Sequence, residues 1–406
     1  MRVIVCNIGS SSLKFQLLDM KSERQIARGH VERVGSESAV QEYWVEGRKV
    51  HSVQSPVLSQ NQAVQSALDF LMRSEFSVIG DLAEIQGVGF KCVQAGEKNG
   101  SVLLDEEVLD AMERYRDLAP AHNPPYLEAI YMFRSLMPDT PLVGVFEPGF
   151  HVDAPLYAKI YGVPFEWFEE SGVKKYGYHG ASHRFITTRT VQLLDLPDDD
   201  HCIISCHLGG SSSICAYKNG VAIDTSMGFS PQTGLIQGTR VGDMDPFVLP
   251  YIMKKTGMSL EQVLDDCSKR GGLAGLSGTS GDMRDINVEI QAGSKRAALA
   301  REKFIYDIKR YVGEFLVLME GLDAIAFTGG IGSRDANLRH RVLSSLGFLG
   351  LELDPQQNEA NGELITTRQS QIAALVLETN EEIIVARETV RVIAGEQPPS
   401  SPCPQP

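Results

Sequence analysis

Short apolar runs alternate with longer amphipathic stretches along the chain, and this pattern predicts alternating strands and helices. The runs at 3–6, 85–93, 141–146, 202–206 and 323–327 have the length of buried strands. Apolar residues at helical spacing predict helices over 61–73 and 296–320, and Ser259 with Gln262 forms a capping box before another helix. Because strands and helices alternate, we expect stacked α/β layers.

The first apolar run leads into the segment N-I-G-S-S-S-L-K at 7–14. Its small side chains let backbone N–H groups approach an anion, its hydroxyls add donors, and Lys14 adds a positive charge. A β-hairpin with a polar turn explains this segment alone equally well.

Two later strands end in segments of the same kind, H-L-G-G-S at 207–211 and T-G-G-I-G at 328–332. Each of the three loops could surround a nucleotide phosphate or ribose with backbone N–H groups. The chain has no GxxxxGK[ST] motif and no GxGxxG after its first strand. These absences exclude a P-loop enzyme and disfavour a Rossmann dehydrogenase.

The bulk composition narrows the class of protein. With 406 residues, 43% hydrophobic and 22% charged, the chain can form two globular domains. The net charge of −14 argues against a nucleic-acid partner and requires locally placed cations for any anionic substrate. The seven cysteines form no C-x-x-C pair, so we expect reduced thiols in a cytoplasmic protein.

Two further expectations concern targeting and the carboxyl end. No apolar run reaches about 18 residues and no signal peptide opens the chain, so we expect no membrane association. The Pro-, Ser- and Gln-rich residues 397–406 are expected to form a disordered tail.

Several further motifs follow one another in a fixed order. They are L-A-P-A-H-N-P (118–124), Y-G-Y-H-G-A-S-H (176–183), D-T-S-M-G-F-S-P (224–231), G-T-R-V-G-D-M-D-P (238–246), D-M-R-D-I (282–286), F-T-G-G-I-G (327–332) and T-N-E-E (379–382). Together with the segment at 7–14, this set resembles the acetate kinase family, within the acetate/sugar kinase, chaperone and actin superfamily, over residues 1–394.

The resemblance implies an α/β fold with two domains and an active cleft between them. Each domain would be built on a ribonuclease-H-like mixed β-sheet core flanked by helices. Residues 1–148 plus 383–396 would form the N-terminal domain, which carries the carboxylate side and the first phosphate loop. Residues 149–382 would form the nucleotide-binding C-terminal domain.

The family activity implied is transfer of the γ-phosphoryl group of ATP to a small carboxylate, which gives ADP and an acyl phosphate. Two anions must meet, so positioning and cationic stabilisation dominate catalysis. By resemblance, Asn7, Glu147, His179 and Arg240 are catalytic. Asn7 and Glu381 would be associated with Mg²⁺, or with Mn²⁺ in its place. The resemblance also implies a homodimer.

The same resemblance implies the substrate contacts. Those to the acceptor would be made by Lys91, Val93, Ala121, Tyr178 and Pro231. Those to ATP or ADP would be made by Lys14, His207, Leu208, Gly209, Gly210, Ser211, Asp282, Met283, Arg284, Gly329, Gly330, Ile331 and Gly332. Without the resemblance, an ion pair to Asp243 or Asp245 would be the favoured role of Arg240.

The chain departs from the family pattern where the acceptor is expected. The family motif G-H-R-V-V-H-G-G-E is here G-F-K-C-V-Q-A-G-E (89–97), so a carboxylate-binding arginine is Lys91 and two histidines are Phe90 and Gln94. Lysine keeps the charge but loses the bidentate fork. A family aspartate is here Glu147. Ala121 stands where leucine is usual, which predicts room for propionate or a somewhat larger acid.

Three functions remain open at this point. The leading one is acetate kinase, the second is a diverged paralogue that phosphorylates propionate or another small carboxylate, and the third is a nucleotide-binding protein with little turnover. The retention of Asn7, His179, Arg240 and Glu381 argues against the third, because a protein without turnover has no physical reason to keep the groups that meet a transferring phosphoryl.

Overall fold

The computed structural model describes residues 1–73, 75–76, 78–119 and 122–396 of the chain. Ala121 and the predicted tail at 397–406 lie outside these ranges, so the predictions made for them stay predictions. Within these ranges no helix combines the length and the apolar character needed to cross a membrane.

The described strands form two separate sheets. They are β1 (Arg2–Gly9), β2 (Ser12–Asp19), β3 (Arg24–Glu32), β4 (Ser36–Val45), β5 (Arg48–Val57), β6 (Gly87–Cys92), β7 (Ser101–Leu103), β8 (Leu142–Phe146), β9 (Cys202–Leu208), β10 (Ser212–Lys218), β11 (Val221–Thr225), β12 (Ala324–Thr328) and β13 (Ala373–Val376).

Helices connect and flank these strands. They are α1 (Gln60–Met72), α2 (Glu106–Arg114), α3 (Asn123–Leu136), α4 (Leu156–Lys159), α5 (Glu166–Ser171), α6 (Gly180–Leu194), α7 (Val248–Thr256), α8 (Leu260–Lys269), α9 (Gly272–Ser277), α10 (Met283–Gln291), α11 (Lys295–Met319), α12 (Gly329–Gly332), α13 (Ala336–Leu343), α14 (Pro355–Glu359) and α15 (Glu381–Ile393). Short 3₁₀ turns at Leu82–Glu84, Gly96–Lys98, Arg116–Leu118, Glu147–His151 and Ser344–Leu349 complete the regular structure.

The first compact unit comprises Met1–Val152 and the segment that begins at Asn380. Its sheet has the order β5-β4-β3-β2-β1-β6-β8-β7, with β1 antiparallel to β2 and parallel to β6. Alternate residues of β6 face opposite layers. Phe90 enters the apolar core shared with α1 and α3, whereas a Cβ added at Gly89 would lie 2.2 Å from Thr389 Oγ1 of α15. Glycine therefore lets α15 pack directly on the sheet.

The second compact unit comprises Asp153–Thr379. Its sheet has the order β11-β10-β9-β12-β13, with β9 antiparallel to β10 and parallel to β12. The long helix α11 packs against one face, where Ile204 and Phe304 share an apolar core. Helix α6 packs against the other face, where Ile203 contacts the cluster that contains Ile186.

Both units contain the same five-stranded arrangement. A central strand has two antiparallel neighbours in succession on one side and two parallel strands on the other, in β3-β2-β1-β6-β8 and in β11-β10-β9-β12-β13. This is the ribonuclease-H-like order, so the prediction of two mixed sheets flanked by helices is confirmed. The two compact units end at Val152 and Thr379, a few residues from the predicted domain boundaries at 148 and 382.

Candidate active site

Three predicted site residues of the first unit lie at one edge of its sheet. Strands β1, β6 and β8 are mutually parallel, so their carboxyl ends point the same way. Asn7 lies near the end of β1, Lys91 near the end of β6, and Glu147 directly after β8. Open α/β sheets usually bind ligands at this edge.

Lys91 forms ion pairs with two carboxylates of the same unit. Its Nζ lies 3.1 Å from Glu147 Oε1 and also pairs with Oε2 of Glu381, the first residue of α15. The three side chains are only 18%, 7% and 16% exposed. Burial alone would lower the pKa of Lys91, but Glu147 and Glu381 outweigh it and raise that pKa above its usual value. The ammonium group therefore stays charged and is compensated inside the unit.

The segment at 7–14 is a β-hairpin. Asn7 pairs with Lys14 across β1 and β2, and the chain reverses between Gly9 and Ser12. Gln60 of α1 donates to the Gly9 carbonyl oxygen at 3.0 Å. A cavity of about 480 Å³ has Asn7 and Lys14 in its wall. The hairpin interpretation is thus confirmed, and it keeps both predicted ligand residues on one surface.

Two of the departures from the family pattern have structural roles in the first unit. Phe90 is fully buried and packs edge-on against Phe133, with ring centroids 5.5 Å apart. Gln94 Oε1 accepts hydrogen bonds from Gly96 N at 2.8 Å and from Asn99 Nδ2 at 2.6 Å. Val93, between the two, is half-buried. The substitutions thus serve core packing and the turn after β6.

Close glycine contacts bring together the three predicted nucleotide segments of the second unit. Gly238 N donates to the Gly210 carbonyl oxygen at 2.9 Å, and a Cβ at Gly281 would lie 2.5 Å from Gly238 O. At Gly329, where φ is +78°, a Cβ would lie 2.5 Å from Leu208 O. The turns at 209–211, 281–284 and 329–332 are thereby gathered around the end of β9.

Arg240 lies against the first of these turns. Its Nη1 donates to Ser211 Oγ at 2.9 Å, to Gln237 Oε1 at 3.1 Å and to the Pro231 carbonyl oxygen at 3.3 Å. All three acceptors are neutral, and burial lowers the pKa of Arg240. None of these three partners is a carboxylate, so they do not neutralise the guanidinium charge that faces the glycine turn.

The alternative ion-pair role of Arg240 involved two aspartates of the following loop. One of them, Asp243, pairs with Arg310 and accepts a hydrogen bond from Tyr311 Oη at 2.6 Å. Asp245 accepts from Phe247 N at 2.9 Å. The partners that the structure gives Arg240 are the neutral oxygens instead.

His179 is held in an unusual backbone conformation. Its φ of +56° lies in the left-handed region, directly before α6 begins. Its Nδ1 lies 2.8 Å from Ser213 Oγ, and its ring stacks on that of His207 with centroids 4.3 Å apart. The preceding residue, Tyr178, is buried and donates to the Phe229 carbonyl oxygen at 2.8 Å. Such strain at a non-glycine residue is typical of functional sites.

Asp282 caps α10 rather than lying free in the turn. Its Oδ1 accepts from Arg284 N at 2.8 Å, and its Oδ2 accepts from Arg284 Nη2 at 2.5 Å. These bonds to Arg284 lower the pKa of Asp282 to about 2. Met283 between them is buried. The carboxylate is therefore ionised at neutral pH.

Oxygen donors for a divalent cation are few. Within the described ranges, no group of three or more His, Cys, Asp or Glu side chains is placed to hold a metal ion. Glu147 and Glu381 converge on Lys91, and Asn7 lies on the same sheet edge. A donor set this small suits a cation that takes its other ligands from phosphates and water.

Comparison with known proteins gives one consistent result. The model of the acetokinase family matches residues 2–387. Acetate kinases of Thermoanaerobacter pseudethanolicus and Carboxydothermus hydrogenoformans are 41% and 42% identical to this chain, over 97% and 98% of it and 100% of each relative.

Solved structures agree with this result. A Porphyromonas gingivalis acetate kinase is 35% identical with a TM-score of 0.89, over 97% of this chain and 99% of that one. A Francisella tularensis propionate kinase is 32% identical with a TM-score of 0.87, over 96% and 99% of the two chains.

Proposed function

The chain belongs to the acetokinase family, and from this premise we propose that it phosphorylates acetate with ATP to give ADP and acetyl phosphate. A carboxylate oxygen of acetate would attack the γ-phosphorus while the bond to the β–γ bridging oxygen breaks. The observation that carries the proposal is the position of Arg240 against the glycine turn at Ser211. A cation bonded to neutral oxygens there can stabilise charge on phosphoryl oxygens.

We assign the roles of the site residues as follows. The gathered turns that contain Gly209, Asp282 and Gly329 would bind the nucleotide through backbone N–H groups. His179 and Arg240 would meet the transferring phosphoryl group. Asn7 and Glu147 would also be catalytic, and Lys14 would contact the nucleotide. Lys91, Val93, Tyr178 and Pro231 would contact the acceptor. Because Lys91 is paired to two carboxylates, an acceptor at this position would meet a cation whose charge Glu147 and Glu381 already compensate.

Mg²⁺, with Mn²⁺ as a substitute, is the proposed metal. Asn7 and Glu381 supply an amide oxygen and a carboxylate, which are hard donors of the kind that Mg²⁺ prefers. Mg²⁺ is usually bound through one or two carboxylates together with substrate phosphates, so the small donor set fits it. The bound cation would supply positive charge to the phosphate oxygens of ATP.

Two properties are proposed on family membership. One is a homodimeric assembly, and the other is a cytoplasmic location. The second is supported by the free thiols of Cys6, Cys92, Cys206 and Cys215, which are buried in the two cores as expected in a reducing compartment.

The acceptor is taken to be acetate because the two relatives at 41% and 42% identity are named acetate kinase. The propionate alternative was based on Ala121. If that position does leave unfilled space, each extra methylene could add at most about 0.8 kcal/mol of burial.

A hydroxamate-trapping assay with Mg-ATP tests the proposal. We expect acyl hydroxamate from acetate, with a higher kcat/KM than from propionate or butyrate. Product only from propionate or a larger acid would select the paralogue alternative. Nucleotide binding without product from any of the acids would contradict the proposed activity.

A further inference from the structure

A chain of hydrogen bonds lies beneath His179 in the second unit. His179 Nδ1 is 2.8 Å from Ser213 Oγ, which is also 2.7 Å from His183 Nε2. His183 Nδ1 is in turn 2.9 Å from Ser205 Oγ. Ser205, Ser213 and His183 are completely buried. We call this set, from Ser205 to His179, the serine–histidine relay.

Three elements fix the side chains of the relay relative to one another. Ser205 lies on β9, Ser213 lies on β10 directly opposite His207, and His183 lies in the first turns of α6. Because α6 packs on the sheet face that carries Ser205, the imidazole of His183 is fixed between the two hydroxyls. The relay is therefore part of the rigid core and not of a surface loop.

The number of hydrogens restricts how the relay can be arranged. A hydroxyl carries one hydrogen and a neutral imidazole carries one, so when Ser213 donates within the relay the three bonds all run in one of two directions. When both imidazoles donate to Ser213 instead, the hydrogen of His179 is on Nδ1. In the first direction Ser205 donates to His183, His183 Nε2 donates to Ser213, and Ser213 donates to His179 Nδ1. The hydrogen of a neutral His179 is then on Nε2. In the reverse direction it is on Nδ1, and Nε2 has none to donate.

The stacked ring of His207 bears on the charge of His179. The two centroids are 4.3 Å apart at an interplanar angle of 25°, and His207 Nδ1 is 2.8 Å from Ser182 Oγ. Two protonated imidazoles at this separation would repel each other, which favours a neutral ring at one of the two positions. A neutral His179 can donate to a phosphoryl oxygen only in the first direction.

We propose that Ser213 and His183 are positioning residues that hold His179 as the neutral tautomer with its hydrogen on Nε2. The relay by itself allows either tautomer, and the choice of the hydrogen on Nε2 rests on the proposed function, in which His179 donates to the phosphoryl group. Both serines lie outside the segment Y-G-Y-H-G-A-S-H, so the motif that singled out His179 gives no indication of them.

Nitrogen chemical shifts measure the tautomer directly. In protein labelled with ¹⁵N at histidine, the signals of His179 are those absent from the variant His179→Gln. We expect a pyridine-type Nδ1 and a protonated Nε2. A hydrogen on Nδ1, alone or together with one on Nε2, overturns the proposal. This measurement needs no turnover, so a wrong tautomer can be told apart from a failure to produce acyl phosphate.

Kinetics test whether the relay matters for turnover. We expect Ser213→Ala to lower kcat roughly 10–100-fold, with much smaller changes in the KM values. This is the range typical of a metal-binding histidine that loses the partner orienting its ring. Ser213→Thr, which keeps a hydroxyl, should recover most of the loss. A kcat of Ser213→Ala equal to that of the unchanged protein overturns the proposal.

The matched control is Thr190→Val on α6, the helix that also carries His183. Thr190 is equally buried, but its hydroxyl donates to the Ile186 carbonyl oxygen at 2.8 Å and touches no imidazole. We expect its kcat to stay near that of the unchanged protein. Equal losses in Thr190→Val and Ser213→Ala would mean that packing alone is responsible, which overturns the positioning role. If Ser213→Ala does not fold, Ser205→Ala at the far end of the relay gives the same comparison.

Discussion

The two units share a five-stranded order, but one buried cation in each, Lys91 and Arg240, has partners of opposite kind. In the first unit Lys91 lies between the carboxylates of Glu147 and Glu381, which outweigh burial and raise its pKa. In the second unit Arg240 donates to three neutral oxygens, including Ser211 Oγ, and burial lowers its pKa. Lys91 on β6 is thus compensated by two carboxylates, whereas Arg240, in the loop after β11, bonds to three neutral oxygens.

This difference indicates which of the two cations matters mainly for stability and which matters mainly for catalysis. Removing a cation from between two buried carboxylates is costly because it leaves their charges unpaired, and these carboxylates already compensate the cation, which leaves little of its charge for an anion. A buried cation with neutral partners costs folding free energy, but its field is available to a transferring phosphoryl group. We therefore expect substitutions at Lys91 to change mainly stability, and substitutions at Arg240 to change mainly turnover.

The largest expected effect is that of Lys91→Met. Methionine has similar length, but it leaves Glu147 and Glu381 facing each other without a cation. Removing one partner of a buried ion pair typically costs about 3–5 kcal/mol, so we expect a comparable loss in the free energy of unfolding of the first unit. Because the folded-state pKa of Lys91 is raised, this loss is present at neutral pH and disappears only as the pH rises through that raised value.

The matched control is Lys98→Met in the same unit. Lys98 and Glu107 form an ion pair at 2.7 Å whose side chains are 44% and 76% exposed. An exposed pair contributes about 0–1 kcal/mol, so calorimetric unfolding should barely change. Equal losses at the two lysines would mean that burial of the Lys91 cluster is not what stabilises it.

The next largest effect is expected at Arg240. Loss of one donor to a developing charge lowers kcat about 10²–10³-fold, or roughly 2.7–4 kcal/mol, so Arg240→Ala should reach this range with little loss of stability. Arg270→Ala is the control, because Arg270, which follows α8 directly, is 76% exposed and pairs with Asp266 of that helix. A reduction in kcat below tenfold in a folded Arg240→Ala would contradict an uncompensated catalytic charge.

Sequence patterns could predict the central strands of both units because these are continuous apolar runs. They did not predict β3, β4 and β5, since at most alternate residues of these strands are buried. In particular, β5 has no apolar run. The glycine turns were predicted to surround a nucleotide, but the contact of Gly238 with Gly281 was not. Glycine spacing does not indicate which backbones touch.

The candidate site shows the same limit more sharply. Lys91 and Glu381 are 290 residues apart, so no local pattern could indicate their ion pair. Ser213 was one hydroxyl in a run of three, and its hydrogen-bond contacts with His179 and His183 in the folded chain identify it. Residue identities at the site could thus be inferred from motifs, whereas partners had to come from the three-dimensional structure.

A smaller effect is expected at Gln94, which tests whether departures in the first unit are structural. Gln94→Ala removes the acceptor of Gly96 N and Asn99 Nδ2, and an unsatisfied buried donor costs about 1–3 kcal/mol. We expect a lower melting temperature with kcat nearly unchanged. Gln65→Ala on α1 is the control, because its bond to Asp69 is exposed. A large loss of kcat without loss of stability would mean that Gln94 acts at the acceptor site and not in the turn after β6.

The smallest effect is expected at Asp282 of the second unit, whose charge is compensated by Arg284 at the surface. Asp282→Asn keeps the cap on α10 but removes the ion pair to Arg284, whose side chain is 88% exposed. Because the pKa of Asp282 is lowered, its charge stabilises the fold above the ordinary carboxyl value of 3.8, and this contribution is lost as the pH falls through about 2. The melting temperature of Asp282→Asn should therefore lie slightly below that of the unchanged protein at neutral pH and converge with it in acid. A difference that stays constant with pH would assign the effect to the cap alone, and compensation at this turn would then be irrelevant to stability.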